Sequence, residues 1–105
     1  MKKPSKYKAV RTTLDGITFA SKREAERYAT LKLLEKAGDI TKLELQPRYP
    51  LVVNDQLVGN YVADFRYRDE QGNTVVEDAK GVKTPVYKLK KKLMKAIYGI
   101  EVREV

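Results

Sequence analysis

The strongest constraint on the fold of this chain is a pair of predicted strands separated by a short polar segment. Residues 61–68 carry an apolar or aromatic side chain at every second position, which is the pattern of a strand with one buried face. Residues 74–80 form a second predicted strand, and the segment between the two is polar and contains Gly72, which favours a turn. We therefore expect the two strands to form a hairpin and to lie side by side in one sheet.

Charged residues fall at one end of this predicted hairpin. Asp64 lies on the first strand, and Asp78-Ala79-Lys80 ends the second. Because side chains alternate between the faces of a strand, Asp78 and Lys80 are expected to point the same way, with Ala79 and Glu77 on the other face. Two carboxylates this close repel each other unless a divalent cation or the lysine neutralises them. The arrangement predicts a metal site.

A less specific interpretation is a surface ion pair, in which Asp78 and Lys80 neutralise each other on the strand. Arg66 and Arg68 would then be the partners of Asp64 and not contacts to phosphate. The apolar residues earlier in the second strand argue against simple surface decoration. Both interpretations remain open from the residues alone.

Composition narrows the chemistry. The chain has no cysteine and no histidine, which excludes thiolate and imidazole metal sites and, with them, most structural zinc. Catalysis by Ser-His-Asp or Cys-His arrangements is excluded for the same reason. Hard oxygen ligands remain, and these suit Mg²⁺ or Mn²⁺.

The distribution of charge indicates the kind of partner. Lysine and arginine total 22 against 14 aspartate and glutamate, a net charge of +8. The first eleven residues carry five basic residues and no acid, and residues 80–95 carry seven lysines and no acid. Two basic clusters around a carboxylate site favour a polyanionic substrate, since phosphate contacts supply most sequence-independent affinity for nucleic acid. The alternative is a solvated helix face and a basic tail.

Two helices are predicted from the residues at their ends. Ser21 is a typical N-cap for a helix that runs to about residue 36, and Gly38 follows its end. Pro85 fits the first turn of a second helix, and Gly99 follows its end. One face of the second helix is apolar and is expected to pack on the sheet: Val86, Leu89, Leu93 and Ile97. The other predicted strands are residues 7–13 and 17–20, joined by Asp15-Gly16, and residues 41–46, 49–53 and 100–105.

The order of helix, three strands, helix and strand resembles the αβββαβ core of the PD-(D/E)XK nuclease superfamily, with Asp64 as the motif aspartate and Asp78-Ala79-Lys80 as the (D/E)XK element. The chain is most similar to a family of small phage and prophage endonucleases, and also to the endonuclease subunit of heteromeric transposases. The segments that carry the resemblance are residues 19–25, 45–47, 63–65, 76–81 and 87–90. The resemblance implies an α/β fold with a small mixed sheet flanked by two helices, plus an N-terminal hairpin.

The resemblance also implies the residues of a metal-dependent active site. Asp64, Asp78 and the Ala79 backbone carbonyl would hold Mg²⁺ or Mn²⁺, and Lys80 would orient the attacking water. Glu24 would be a further ligand, although Ser21-x-x-Glu24 is also a capping box, in which the carboxylate only caps the helix. Gln46 and Lys90 are possible auxiliary residues. The residues predicted to contact DNA are Lys8, Arg11, Arg66, Arg68, Lys83, Lys88, Lys90 and Lys91.

By resemblance the expected function is metal-dependent hydrolysis of DNA phosphodiesters, including cleavage of branched DNA such as Holliday junctions. The alternatives are a noncatalytic nucleic-acid-binding module and a nuclease subunit that is active only within a larger complex. Cutting both strands would most simply need a homodimer. We expect a basic tail at residues 1–6, a single domain at residues 7–105, no membrane span and a location in the cytoplasm of a bacterial host.

Overall fold

A computed structural model describes residues 10–105, so the predicted basic tail and Lys8 lie outside the described residues. Two helices and eight strands follow one another along this part of the chain. They are β1 (Thr12–Leu14), β2 (Ile17–Phe19), α1 (Lys22–Lys36), β3 (Thr41–Leu45), β4 (Arg48–Val53), β5 (Gln56–Val62), β6 (Phe65–Arg68), β7 (Thr74–Asp78), α2 (Pro85–Tyr98) and β8 (Arg103–Glu104).

The central sheet has four strands in the order β3-β6-β7-β8. The β3–β6 and β6–β7 pairs are antiparallel and the β7–β8 pair is parallel, so the sheet is mixed. Strands β1 and β2 form the predicted N-terminal hairpin around Asp15 and Gly16, and β4 and β5 form a second antiparallel hairpin. The prediction of an α/β fold with a mixed sheet and two helices is confirmed.

Strand β7 is covered on both faces. Val76 belongs to a core with Met94 of α2, and Val75 packs against a second core that contains Leu31 of α1 and Phe65 of β6. Because neighbouring residues of a strand point to opposite faces, the two helices lie on opposite sides of the sheet. This position explains why β7 has consecutive apolar residues and no simple alternation.

The ends of both helices follow the sequence signals. The Ser21 hydroxyl accepts a hydrogen bond from the Glu24 amide at 3.1 Å, and the Thr84 hydroxyl accepts one from the Tyr87 amide at 3.1 Å. Helix α2 ends at Gly99, whose φ of 68° lies in the left-handed region that glycine adopts without strain. The first turn of α1, which carries Glu24, is thereby fixed.

The predicted strand over residues 61–68 is wrong in one respect, because it is interrupted at Ala63 and Asp64. Strand β5 ends before these residues and pairs with β4, whereas β6 begins after them and joins the central sheet. The Ala63 amide bonds to the Pro47 carbonyl, and the Asp64 carbonyl accepts from the Gln46 amide. Asp64 therefore lies at the point where the chain passes from the hairpin to the sheet.

The predicted buried face of α2 is also partly wrong. Val86 and Leu89 are exposed, while Tyr87 and Met94 are buried and Leu93 and Ile97 pack beside them. Helix α2 therefore turns its Tyr87 side toward the sheet, because the Tyr87 hydroxyl and ring have partners there. The predicted strand at residues 100–105 is shortened to the two residues of β8.

Candidate functional site

Glu24, Asp64, Asp78 and Lys80 come from three parts of the fold and meet at one end of the central sheet. Glu24 lies in the first turn of α1, Asp64 joins β5 to β6, and Asp78 is the last residue of β7. Asp64 and Asp78 are linked reciprocally. The Asp78 Oδ1 accepts from the Asp64 amide at 2.9 Å, and the Asp64 Oδ2 accepts from the Ala79 amide at 2.8 Å. These two bonds fix the motif strands against each other.

Glu24, Gln46 and Asp64 line one cavity of about 130 Å³. Its remaining lining is mostly apolar and comes from the β1–β2 hairpin and β3: Ile17, Thr18, Phe19 and Leu45. Gln46 has a φ of 51°, and its amide donates to the Asp64 carbonyl at 2.9 Å, which holds it beside the carboxylates. The hairpin thus closes one side of the carboxylate site, a role that its sequence alone did not suggest.

The Glu24 and Asp64 carboxyls strongly influence each other's protonation. Burial and the nearby negative charge of Asp64 raise the pKa of Glu24 to about 7, with a hydrogen bond to Asp64 adding to the shift. Burial raises the pKa of Asp64, although the Ala79 amide and the Lys80 ammonium oppose that rise. A buried carboxylate pair of this kind is stabilised by a shared proton or by a bound cation.

Glu24 is not simply the second half of a capping box. Its amide is bonded to Ser21 as expected, but its carboxylate lies beside Asp64 and a backbone group of Ala20. Glu24 is only 7% exposed, so its charge is removed from water. Its position favours a role in the site over a role in capping alone.

Asp78 is fully buried, and both of its carboxylate oxygens have hydrogen-bond donors. The Tyr61 hydroxyl donates to Oδ2, while the Asp64 amide donates to Oδ1. Burial raises the pKa of Asp78 to about 6, and the Lys80 ammonium acts in the opposite direction. The Lys80 Nζ lies 5.2 Å from the centre of the Tyr87 ring, a cation–π distance. The Lys80 ammonium also lies near Glu24, Asp64 and Asp78, and its positive charge partly offsets the rise in the pKa of each.

The donor set is that of a hard divalent cation, since it consists of carboxylate oxygens around a small cavity. In the described residues, however, no group of three or more Asp, Glu, His or Cys side chains is already arranged to hold a metal ion. Glu24 and Asp64 face the same cavity, but the Asp78 oxygens are held by Tyr61 and Asp64. The residues fit such an ion in type, and Asp78 would have to exchange its Tyr61 contact to bind it.

A third buried acid, Glu77, lies on the opposite face of β7 from Asp78, as the alternation of side chains predicts. Its carboxylate accepts two hydrogen bonds from the Arg27 guanidinium, at 2.8 and 2.7 Å, and one from the Tyr67 hydroxyl. The Arg103 Nη1 lies 4.0 Å from the Glu77 Oε2. Sequence reasoning missed this network because Arg27 and Glu77 are 50 residues apart and no spacing rule connects them. It fastens α1 to the strand that carries Asp78.

The residues predicted to bind DNA fall on separate surfaces. Lys83, Lys88 and Lys91 line a groove beside α2, whereas Arg66 and Arg68 line a different groove on the sheet. Arg66 bonds to Glu44 and Tyr49, not to Asp64. Arg11 is exposed near the N-terminal hairpin.

Lys90 and the tyrosines have structural contacts. The Lys90 ammonium donates to the Asn60 carbonyl at 2.8 Å, so in this structure it braces β5. Tyr28, Tyr61, Tyr67 and Tyr87 are buried, and each hydroxyl donates to a carboxylate. These rings are core residues and are not available for stacking on bases.

The fold and the site thus define a small α/β protein with a carboxylate-rich site at one end of a mixed sheet. Residues 4–104 match the family described as "Protein of unknown function (DUF1064)", and because the match spans nearly the whole chain, the protein belongs to this family. Comparisons with curated proteins and with solved structures gave no match. Neither helix described in residues 10–105 is long and apolar enough to cross a membrane.

Proposed function

We propose that the protein is a metal-dependent endodeoxyribonuclease of the PD-(D/E)XK type. The observation that carries this proposal is the convergence of Glu24 and Asp64 in one cavity, with Asp78 and Lys80 directly beside them. Glu24 lies on α1, far in the sequence from Asp64 and Asp78, so the fold and not the local sequence brings these residues together. The resemblance of the motifs supports the same activity.

The residues of the candidate site would have separate roles in hydrolysis. Glu24, Asp64 and Asp78, with the Ala79 carbonyl, would hold Mg²⁺ or Mn²⁺, which supplies a Lewis acid and a bound water of lowered pKa. Lys80 would orient the attacking water and offset the negative charge that develops on the phosphate. Gln46 lines the same cavity and would hold a water or a phosphate oxygen by hydrogen bonding.

The proposal is tested by incubating the purified protein with supercoiled plasmid and with a synthetic four-way junction, in Mg²⁺, in Mn²⁺ or in EDTA. We expect cleavage that requires the metal and falls by ~10²–10³ in Asp64→Asn, Asp78→Ala and Lys80→Met, because each removes a charged group from the reacting site. Asp78→Ala is expected to retain DNA binding. The preferred substrate separates a junction-selective enzyme from a general nicking enzyme.

Matched controls come from exposed residues of the same types. Asp39→Asn and Lys36→Met change charge at the end of α1, away from the cavity, and should cleave as the unsubstituted protein does. Equal activity of Asp64→Asn and Asp39→Asn would contradict the site assignment.

The basic groove beside α2 favours a second candidate function, a noncatalytic nucleic-acid-binding module. Binding without cleavage in every metal would support it. A third outcome, cleavage only after a partner protein is added, would identify a subunit of a larger DNA-processing complex. In that case the same carboxylate substitutions should abolish the activity of the complex.

A further inference from the structure

A groove lined by lysines runs between α2 and the end of the sheet, with a volume of about 480 Å³. We call it the lysine groove, and its charged lining residues are Lys83, Lys88, Lys91, Lys92, Lys95, Glu101 and Glu104. Five cations against two acids give this surface a net positive charge. Such a surface is complementary to the phosphates of a nucleic acid.

Three donors converge on Glu104, namely Lys83 and Lys91 from the lysine groove and Tyr87 from the core beneath it. The Tyr87 hydroxyl donates to Oε2 at 2.8 Å, while the ammonium groups of Lys83 and Lys91 lie 3.3 and 3.5 Å from Oε1. Hydrogen bonding from Tyr87, followed by the two lysines, lowers the pKa of Glu104, so this residue is an anion at neutral pH. The three donors therefore already form an anion-binding arrangement, and the anion is a side chain of the protein itself.

This arrangement adjoins the candidate active site. Glu104 is the register partner of Asp78 in the parallel β7–β8 pair, and its charge contributes to the raised pKa of Asp78. Tyr87 connects the two places, because its hydroxyl contacts Glu104 and its ring lies under the Lys80 ammonium. A nucleic-acid backbone seated in the lysine groove would thus lie beside the strand that carries Asp78.

We propose that the lysine groove binds the sugar–phosphate backbone of DNA, and that Glu104 occupies the position of one phosphate until DNA displaces it. The choice of DNA as the polyanion rests on the proposed function. Carboxylate and phosphate oxygens accept hydrogen bonds from the same ammonium donors, so Lys83 and Lys91 can pass from one to the other.

The exposure of these side chains makes the exchange inexpensive in free energy. The Glu104 side chain is 25% exposed, and those of Lys91 and Lys83 are 33% and 48% exposed. Ion pairs this close to solvent contribute little to stability, so releasing Glu104 opposes DNA binding only modestly. Glu104 then lowers DNA affinity without blocking it, which limits binding to substrates that make further contacts along the groove.

The test is the affinity of Glu104→Gln for a short fluorescein-labelled DNA duplex, measured by anisotropy in EDTA over a series of salt concentrations. We expect this variant to bind roughly 3–10-fold more tightly than the unsubstituted protein, with a salt dependence steeper by about one phosphate contact. Glu26→Gln is the matched control, since it changes net charge equally at an exposed residue that pairs with Lys22 on α1. Affinity of Glu104→Gln no greater than that of Glu26→Gln would overturn the proposal.

A second pair of variants decides the matter if Glu104→Gln does not fold. Lys91→Ala should weaken DNA binding and reduce the salt dependence by about one contact, whereas Lys22→Ala should do neither. Equal binding by these two variants would show that Glu104 and Lys91 form only a structural ion pair. Because EDTA prevents metal-dependent cleavage, the binding result is independent of the nuclease assay. Tighter binding by Glu104→Gln would support the groove proposal even if no metal supports cleavage. Cleavage would support the proposed nuclease activity even if Glu104→Gln binds DNA no better.

Discussion

At the scale of single residues, three buried acids are stabilised in three different ways. Glu77 has a full positive charge beside it, in the two hydrogen bonds from Arg27. Asp78 has neutral donors, the Tyr61 hydroxyl and a backbone amide. Glu24 has another acid beside it, and its pKa rises to about 7. Burying a carboxylate is costly unless a partner neutralises its charge. Of these three acids, only Glu77 has two hydrogen bonds from a guanidinium, so only Glu77 has the environment of a structural ion pair.

The first residue-scale prediction concerns the Arg27–Glu77 pair. Arg27→Met leaves the buried Glu77 carboxylate with only Tyr67 and the more distant Arg103, and should lower the free energy of unfolding by about 3 kcal/mol. Urea denaturation measures this loss. Lys22→Met, which removes an exposed pair with Glu26, should cost less than about 0.5 kcal/mol. Similar losses in both variants would contradict the structural role of Arg27.

The second residue-scale prediction concerns pH. The pKa of Glu24 in the folded protein, about 7, lies above its ordinary value of 4.5, so folding favours the protonated form. The stabilisation from this group is complete below about pH 4.5 and is lost as pH rises through 7. Glu24→Gln has no such group, and its unfolding free energy in EDTA should fall less over this interval. Denaturation curves at successive pH values measure the difference, and parallel profiles would disprove it.

At the scale of secondary structure, local signals predicted the helices well. Ser21, Pro85 and Gly99 lie where helix-capping rules place such residues, because capping depends on only a few neighbouring residues. The break at Ala63 and Asp64 was not predictable from the pattern. It depends on Pro47 and Gln46, whose backbone groups bond to this segment from another part of the chain.

The candidate site was predictable to a similar extent. The motif residues Asp64, Asp78 and Lys80 were found from the alternation of two strands, and the structure brings them together. The partners that hold them were not found. Tyr61 and Tyr87 appear in the sequence as ordinary apolar positions, and their hydroxyl contacts arise only when distant elements pack.

The element-scale prediction concerns the start of α1. Ser21→Ala removes the oxygen that accepts from the Glu24 amide and should lower the free energy of unfolding by about 1 kcal/mol. Thr30→Ala is the control, because Thr30 is an exposed residue within the same helix and caps neither end. Thermal or urea unfolding compares the two variants. An equal effect of both would show that the Ser21 cap does not hold the first turn.

At the scale of the whole molecule, the central sheet separates two hydrophobic cores. Leu31 belongs to the core beneath α1, and Val102 belongs to the core beneath α2. The principal dimensions of 46 × 42 × 19 Å describe a flat molecule, consistent with thin layers on each side of one sheet. Both cores are small, so we expect the stability of the folded protein to depend on both of them.

The whole-molecule prediction is that the two cores respond independently to small truncations. Leu31→Val and Val102→Ala should each lower the free energy of unfolding by about 1–2 kcal/mol, since both side chains are almost fully buried. The double variant should show the sum within about 0.5 kcal/mol, because the sites lie on opposite sides of the sheet. Urea denaturation of all four proteins completes the cycle. A large departure from additivity would mean that the sheet transmits packing changes between the cores.

The two edges of the central sheet are poorly suited to strand addition from a second copy. Strand β3 shifts its register between Thr41 and Glu44, and Lys42 has a φ of 56°, so this edge is bulged and carries a charge. Strand β8, at the other edge, has only two residues. Neither edge offers a long, flat row of unpaired amides and carbonyls, which is what a strand from another molecule needs for edge-to-edge pairing. The central sheet is thereby protected against amyloid-like polymerisation at its edges.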